Sequence, residues 1–154
     1  MKKIFLFLTV IIFVSCNKNT VFSEFIQISE KGWSVDSSYR FTFDIIDSIS
    51  LYEIDLMIRN ANNFPRQNLW LELKREHNDN ITTDSVNICL LDDNGKWIGS
   101  SAGSYYDGEY IYKRGMRLST GRYTYIIRHI MRFDCLPGIK NLGMRVVRKD
   151  KYGR

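Results

Sequence analysis

Apolar residues recur at every second position in four separate stretches of this chain, and that period of two narrows the fold more than any other feature. Phe41, Phe43 and Ile45 alternate with Thr42 and Asp44. Tyr52, Ile54, Leu56 and Ile58 alternate with Glu53, Asp55, Met57 and Arg59. Leu69, Leu71 and Leu73 alternate with Trp70, Glu72 and Lys74, and Tyr123, Tyr125, Ile127, His129 and Met131 share one face of the stretch 121–132. Successive side chains of a strand point to opposite faces, so each stretch predicts a strand with one buried face and one mostly wet face. Nine Tyr, nine Phe and three Trp against two Pro also favour strands over helices. Turn chemistry divides the stretches: Asn62, Asn63 and Pro65 within 60–68, Asp93-Asn94-Gly95, and Pro137-Gly138 within 134–141. The polar run 77–83 and the Ser-, Gly- and Tyr-rich run 100–108 are expected to be surface loops. A short strand is expected at 110–113, reaching no further than 118, and a last one at 142–148. The expectation is an all-β domain of roughly eight to ten strands, an antiparallel two-sheet sandwich of jelly-roll type, with a closed barrel as the alternative.

The first residues follow a different logic. Lys2 and Lys3 precede an apolar run from 4 to 14 that is interrupted only by Thr9, and Ser15-Cys16 ends it. The run is about half of the ~20 residues that span a bilayer as a helix, which suits the apolar region of a signal peptide. Phe13-Val14-Ser15-Cys16 resembles a lipobox, the site where a small residue precedes a cysteine whose sulfur takes diacylglycerol, with Phe13 where Leu is more common. Cys16 is therefore the expected lipidation site, carrying acyl chains such as palmitate. One acyl chain holds a protein only marginally and two or more hold it stably, so membrane attachment is expected. The expected organisation is a removed signal peptide at 1–15, a lipidated Cys16 with a tether through 32, a β-sandwich domain at 33–149 and a charged tail at 150–154. Within the tether, 21–28 is apolar enough for a first edge strand. The spacer after Cys16 has no acidic run, which points to an outer-membrane lipoprotein facing the periplasm.

Removal of Lys2 and Lys3 takes the formal charge from +5 to about +3, too little and too dispersed for a nucleic-acid surface. Cys89 and Cys135 could form a disulfide or stay as two buried thiols. His77 and His129 show no ligand spacing with either, so no metal and no cofactor are expected. Asp92-Asp93 is explained by its turn, and no nucleophile elbow accompanies His129, which falls on an inward period and is expected to be a core histidine. No enzyme is expected. Trp70 and Trp97 sit on or beside polar faces, and Tyr105, Tyr106, Tyr110 and Tyr112 crowd one region. Such rings either pack a core or form a surface for a protein or a glycan. Arg59, Arg132 and Arg145 are cations in or beside strands and either make structural salt bridges or form a polar interaction surface.

Three blocks carry a family likeness. The first runs from Arg59-Asn60 through Phe64-Pro65-Arg66-Gln67-Asn68-Leu69-Trp70-Leu71. The second is Leu91-Asp92-Asp93-Asn94-Gly95-Lys96-Trp97-Ile98-Gly99. The third joins Gly121-Arg122-Tyr123, His129-Ile130-Met131-Arg132, Leu136-Pro137-Gly138-Ile139 and Gly143-Met144-Arg145-Val146. In this order, behind a lipobox, the chain resembles GldH, the gliding-motility lipoprotein family of the Bacteroidetes. The likeness covers most of the mature chain, with Phe13, Phe64 and Cys135 as departures. It implies an envelope lipoprotein without known catalytic residues or cofactor, working through contacts with envelope proteins of gliding or secretion machinery. A lipid-anchored glycan-binding module is the alternative.

Overall fold

The computed structural model describes residues 19–149, so Cys16 and the tail 150–154 lie outside the described residues. Eleven strands form: β1 (Thr20–Gln27), β2 (Trp33–Ser34), β3 (Tyr39–Ile45), β4 (Leu51–Ala61), β5 (Asn68–His77), β6 (Asn80–Cys89), β7 (Ser100–Ala102), β8 (Tyr105–Arg117), β9 (Gly121–His129), β10 (Cys135–Leu136) and β11 (Ile139–Lys149). One sheet has the order β1-β11-β4-β8-β7 and the facing sheet the order β3-β9-β5-β6, while β10 and β2 make a short ribbon. All pairings are antiparallel. With β2, β7 and β10 set aside, the pairs β1–β11, β3–β9, β4–β8 and β5–β6 nest one inside another. That nesting is a long hairpin rolled into two sheets, which is the jelly roll.

The period-two residues fill the space between the sheets. Phe41, Phe43, Ile45, Tyr52, Ile54, Leu56, Ile58, Leu69, Leu71, Leu73, Tyr123, Tyr125 and Ile127 are all buried in one core with Leu142, Met144 and Val146. Phe43 stacks on Tyr123 and Tyr125, and Phe22 of β1 reaches in to Phe41 and Phe43.

Several local expectations change. Residues 77–83 are not a loop, because β5 turns directly into β6 at Asn78 and Asp79, which have φ of 42° and 44°. Asn and Asp tolerate that left-handed conformation, so a two-residue hairpin forms without glycine. Residues 100–108 are likewise paired as β7 and the start of β8, with Gly103 at φ 65° in the turn. The short strand expected at 110–113 is part of β8, which at thirteen residues is the longest strand described. The stretch 20–27 is an edge strand of the larger sheet, aligned on β11 from Thr20↔Val147 to Gln27↔Asn141.

The second face of β4 is not wet. Glu53, Asp55 and Met57 are buried although they point away from the core. β4 is the centre of its sheet, and its neighbours lean long side chains over it. Arg145 of β11 bonds Asp55 at 2.9 Å and Glu109 of β8 at 2.7 Å. Arg114 and Lys149 hold Glu53 at 2.8 and 3.0 Å. Phe25 of β1 lies across Gly143, where a Cβ would come within 2.8 Å of its ring. Gly143 therefore leaves room for an aromatic cover over the sheet.

Candidate interaction surface

The jelly-roll nesting sorts the connections between two ends of the sandwich. At one end lie Thr20, the connections 46–50 and 118–120, the Asn78-Asp79 turn and Lys149. At the other lie 28–38, 62–67, 90–99 and 130–138. The long connections are thus gathered at one end, and two of the three sequence blocks, with most of the third, fall there.

This end is built around Trp33, which is fully buried. Its indole N–H donates to Ser37 O at 3.1 Å, and its ring meets Tyr39 and His129 edge-on. His129 is also fully buried, and its Nε2 lies 2.9 Å from Trp33 O. A carbonyl can only accept, so Nε2 carries the proton and Nδ1 is the bare nitrogen, which has no partner. Burial is the main force that lowers the His129 pKa, Arg128 adds to it, and the Trp33 bond opposes it. His129 is a core histidine, as its period indicates. Phe64 closes the same end beside Trp97, with Gly138 at φ 81° packed against it. Ala61 N donates to Gly138 O, Leu90 N to Gln67 O and Val35 N to Asp134 O, so the four connections are stitched together by backbone bonds.

The five residues singled out from sequence separate into three places. Trp70 and Arg132 come together on the outside of this end. Ile130 N donates to Trp70 O at 3.0 Å, which carries the chain after β9 back across the start of β5. Arg66, Trp70, Ile130, Met131, Arg132 and Phe133 line a groove of about 450 Å³. Trp70 is 43% exposed and Ile130 37%. The Arg66 guanidinium lies 5.1 Å from the centre of the Phe133 ring, a cation–π contact. Among the described residues neither Arg66 nor Arg132 makes an ion pair. The groove is therefore lined by cationic and aromatic side chains together.

Trp97 is elsewhere, half-buried between Phe64 and Tyr106 as part of the end's packing. Arg59 and Arg145 lie on the outer face of the five-stranded sheet and are paired. Arg59 bonds Asp107 through two nitrogens at 2.6 and 2.7 Å, which holds Asp107 below the usual carboxylate range. For Arg145, partial burial works against the charge, but bonds to Asp55 and Glu109 outweigh it and raise the pKa. Arg66 and Phe133 were not expected at the site; only the return of the chain past Trp70 brings them there. Cys89 and Cys135 form neither a disulfide nor a buried pair. Both are free and exposed, and their thiols donate to Leu91 O and Lys31 O. They sit at strand positions whose side chains face solvent. Among the described residues no cluster of His, Cys, Asp and Glu is arranged to hold a metal, and no helix is long and apolar enough to cross a membrane.

The family model described as GldH lipoprotein matches residues 20–146, from the first strand to the last. The chain belongs to the GldH lipoprotein family. Christiangramia forsetii has a relative named gliding motility lipoprotein GldH homolog that is 32% identical over 157 residues, covering 96% of this chain and 94% of the relative. The Flavobacterium johnsoniae protein named gliding motility lipoprotein GldH is 27% identical over 153 residues, covering 94% and 95%. No solved structure matches the chain. The family match therefore covers the two sheets from β1 into β11.

Proposed function

We propose that this protein is a non-enzymatic envelope lipoprotein that serves gliding motility, or a secretion apparatus linked to it, by docking a protein partner in the groove at 66–70 and 130–133. The observation that carries this reading is the groove itself. Among the described residues, Arg66 and Arg132 offer guanidinium groups without carboxylate partners beside a half-exposed Trp70 and the partly buried Met131 and Phe133. The complementary occupant is a protein segment with carboxylates next to an apolar side chain. Arg and Trp are the residue types that most often dominate binding energy at protein interfaces. The lipid on Cys16 holds the domain at the outer membrane, and the absence of an acidic run after Cys16 favours the periplasmic side.

Trp70→Ala and Arg132→Ala are the tests, read by pulldown from crosslinked envelopes. Loss of a motility or secretion component with unchanged thermal stability is the expected result. Retention of every partner by both variants, or binding of a glycan array through Trp70 with no protein recovered, contradicts it. Cys16→Ser should release the protein from the membrane fraction and abolish palmitate labelling. Shaving intact cells with protease should leave the protein whole; its loss would place it on the outer surface.

A further inference from the structure

The end of the sandwich opposite the groove has a feature that the fold does not use. The connection from β3 to β4 carries Ile46, 89% exposed, and Ile49, 72% exposed. The turn that presents them is tightly organised: Asp47 accepts from the backbone N–H groups of Ile49 and Ser50 and from the Ser50 hydroxyl, and the Tyr52 hydroxyl donates to Asp47 O. A rigid turn thus holds two large apolar side chains in solvent, the arrangement that marks an apolar contact with something else.

The position of the chain start identifies that something. Arg148 N donates to Asn19 O, Arg148 pairs in register with Tyr52, and the Arg148 charge is close enough to lower the pKa of Asp47, after the turn's own hydrogen bonds. Asn19 and the isoleucine turn are therefore neighbours through Arg148. From Cys16 to Thr20 is four residues, a fully extended reach of about 14 Å. A lipid on Cys16 can only hold this end of the sandwich against the membrane. The charged groups here include Arg117, without an ion pair among the described residues, Arg148, Lys149 bonded to Glu53, and Arg122 bonded to Asp44, with Asp47 turned into its own loop.

We infer that this end is a lipid-contacting surface. Ile46 and Ile49 sit in the interfacial layer beside the anchor, with Arg117 and Arg148 at headgroup level, so that the domain stands on the membrane in a fixed orientation. The inference rests on the lipidation of Cys16 proposed above. Apolar side chains in the interface and cations near anionic headgroups both strengthen attachment.

The test compares hydrogen exchange in the lipidated protein on vesicles of phosphatidylcholine and phosphatidylglycerol with the unlipidated chain beginning at Asn17, in solution. Peptides over 46–50 and 118–120 should exchange about tenfold more slowly on vesicles, as expected for backbone whose apolar side chains leave water, while 130–133 exchanges equally in both. The double variant Ile46→Ser with Ile49→Ser, which alters only exposed side chains, should still float with vesicles and lose that protection. The mass of the N-terminal peptide separates the two readings. If Cys16 carries no lipid in the protein from cells, the anchor and this surface both fall. If Cys16 is lipidated and 46–50 exchanges alike in both forms, only the surface falls. Protection of 46–50 in solution without vesicles would assign the turn to self-association and also overturns it.

Discussion

The two ends of this jelly roll are closed in opposite ways. The end that carries Thr20 is shut by short turns, at 46–50, 78–79 and 118–120, and leaves Ile46 and Ile49 in water. The far end is shut by four longer connections that bury Trp33, Phe64 and His129 and then build a groove of Trp70, Arg66 and Arg132 on top. β9 runs from one end to the other, from Gly121 beside Ile45 to His129 beneath Trp33, about 25–30 Å at the rise of an extended strand. In this fold the nesting of strand pairs decides which connections are neighbours, so lengthening four of them enriches one end alone. The short end leaves a turn-closed surface, and the long end has enough side chains to shape a groove.

Stability should divide along the same line. Trp33→Ala empties the centre of the far end and should cost about 3–5 kcal/mol in a urea titration. A loss under ~1 kcal/mol would show that the far end is a loose cover and not a second core. Between the ends, Arg145→Ala strips Asp55, whose side chain is 3% exposed, of its cation, and should cost about 3 kcal/mol. The Arg122–Asp44 pair, with both side chains more than half exposed, should cost far less than either when Arg122 becomes Ala.

A smaller effect should follow pH at the far end only. Burial holds His129 neutral, with its pKa below the ordinary imidazole value. The unfolded chain binds the proton first as pH falls, so stability is intact above about 6.5 and declines below it, down to the lowered pKa. Relative to the intrinsic exchange rate at each pH, the protection of Trp33 and its neighbours should fall across that window, and His129→Gln should flatten the change. An equal fall at 46–50 would break the distinction between the ends. Smallest of all, Arg132→Ala and the Ile46→Ser, Ile49→Ser pair should each move stability by no more than about 0.5 kcal/mol, because their side chains are exposed.

The core was legible because it needs only local alternation. The positions 41–45, 52–58, 69–73 and 123–129 announce their inward faces, and the Asp93-Asn94-Gly95 turn is where its chemistry places it, spanned by a single bridge between Leu91 and Trp97. The second face of β4 was not legible, because Glu53 and Asp55 look like solvent residues until β11 and β8 flank them with Arg145, Arg114 and Lys149. The turn at Asn78-Asp79 lacked the glycine that usually signals it, and 100–108 had a loop's composition while its backbone paired. For the groove, Trp70 on a polar face and Arg132 after a strand were visible one at a time. Their meeting, the arrival of Arg66 and Phe133, and the departure of Trp97 into the packing depend on connections that are distant in sequence. The exposure of Ile46 and Ile49 was equally hidden, since β3 and a turn made of Asp, Ser and Ile carry no sign of what lies beside them.

Photo-crosslinking in living cells can show whether the two ends of the domain divide their labour. A benzoyl-phenylalanine replaces Trp70 in one strain and Ile49 in another. Discrete protein adducts are expected from position 70, and lipid adducts with no protein adduct from position 49. Protein adducts from position 49 with none from position 70 would contradict that division.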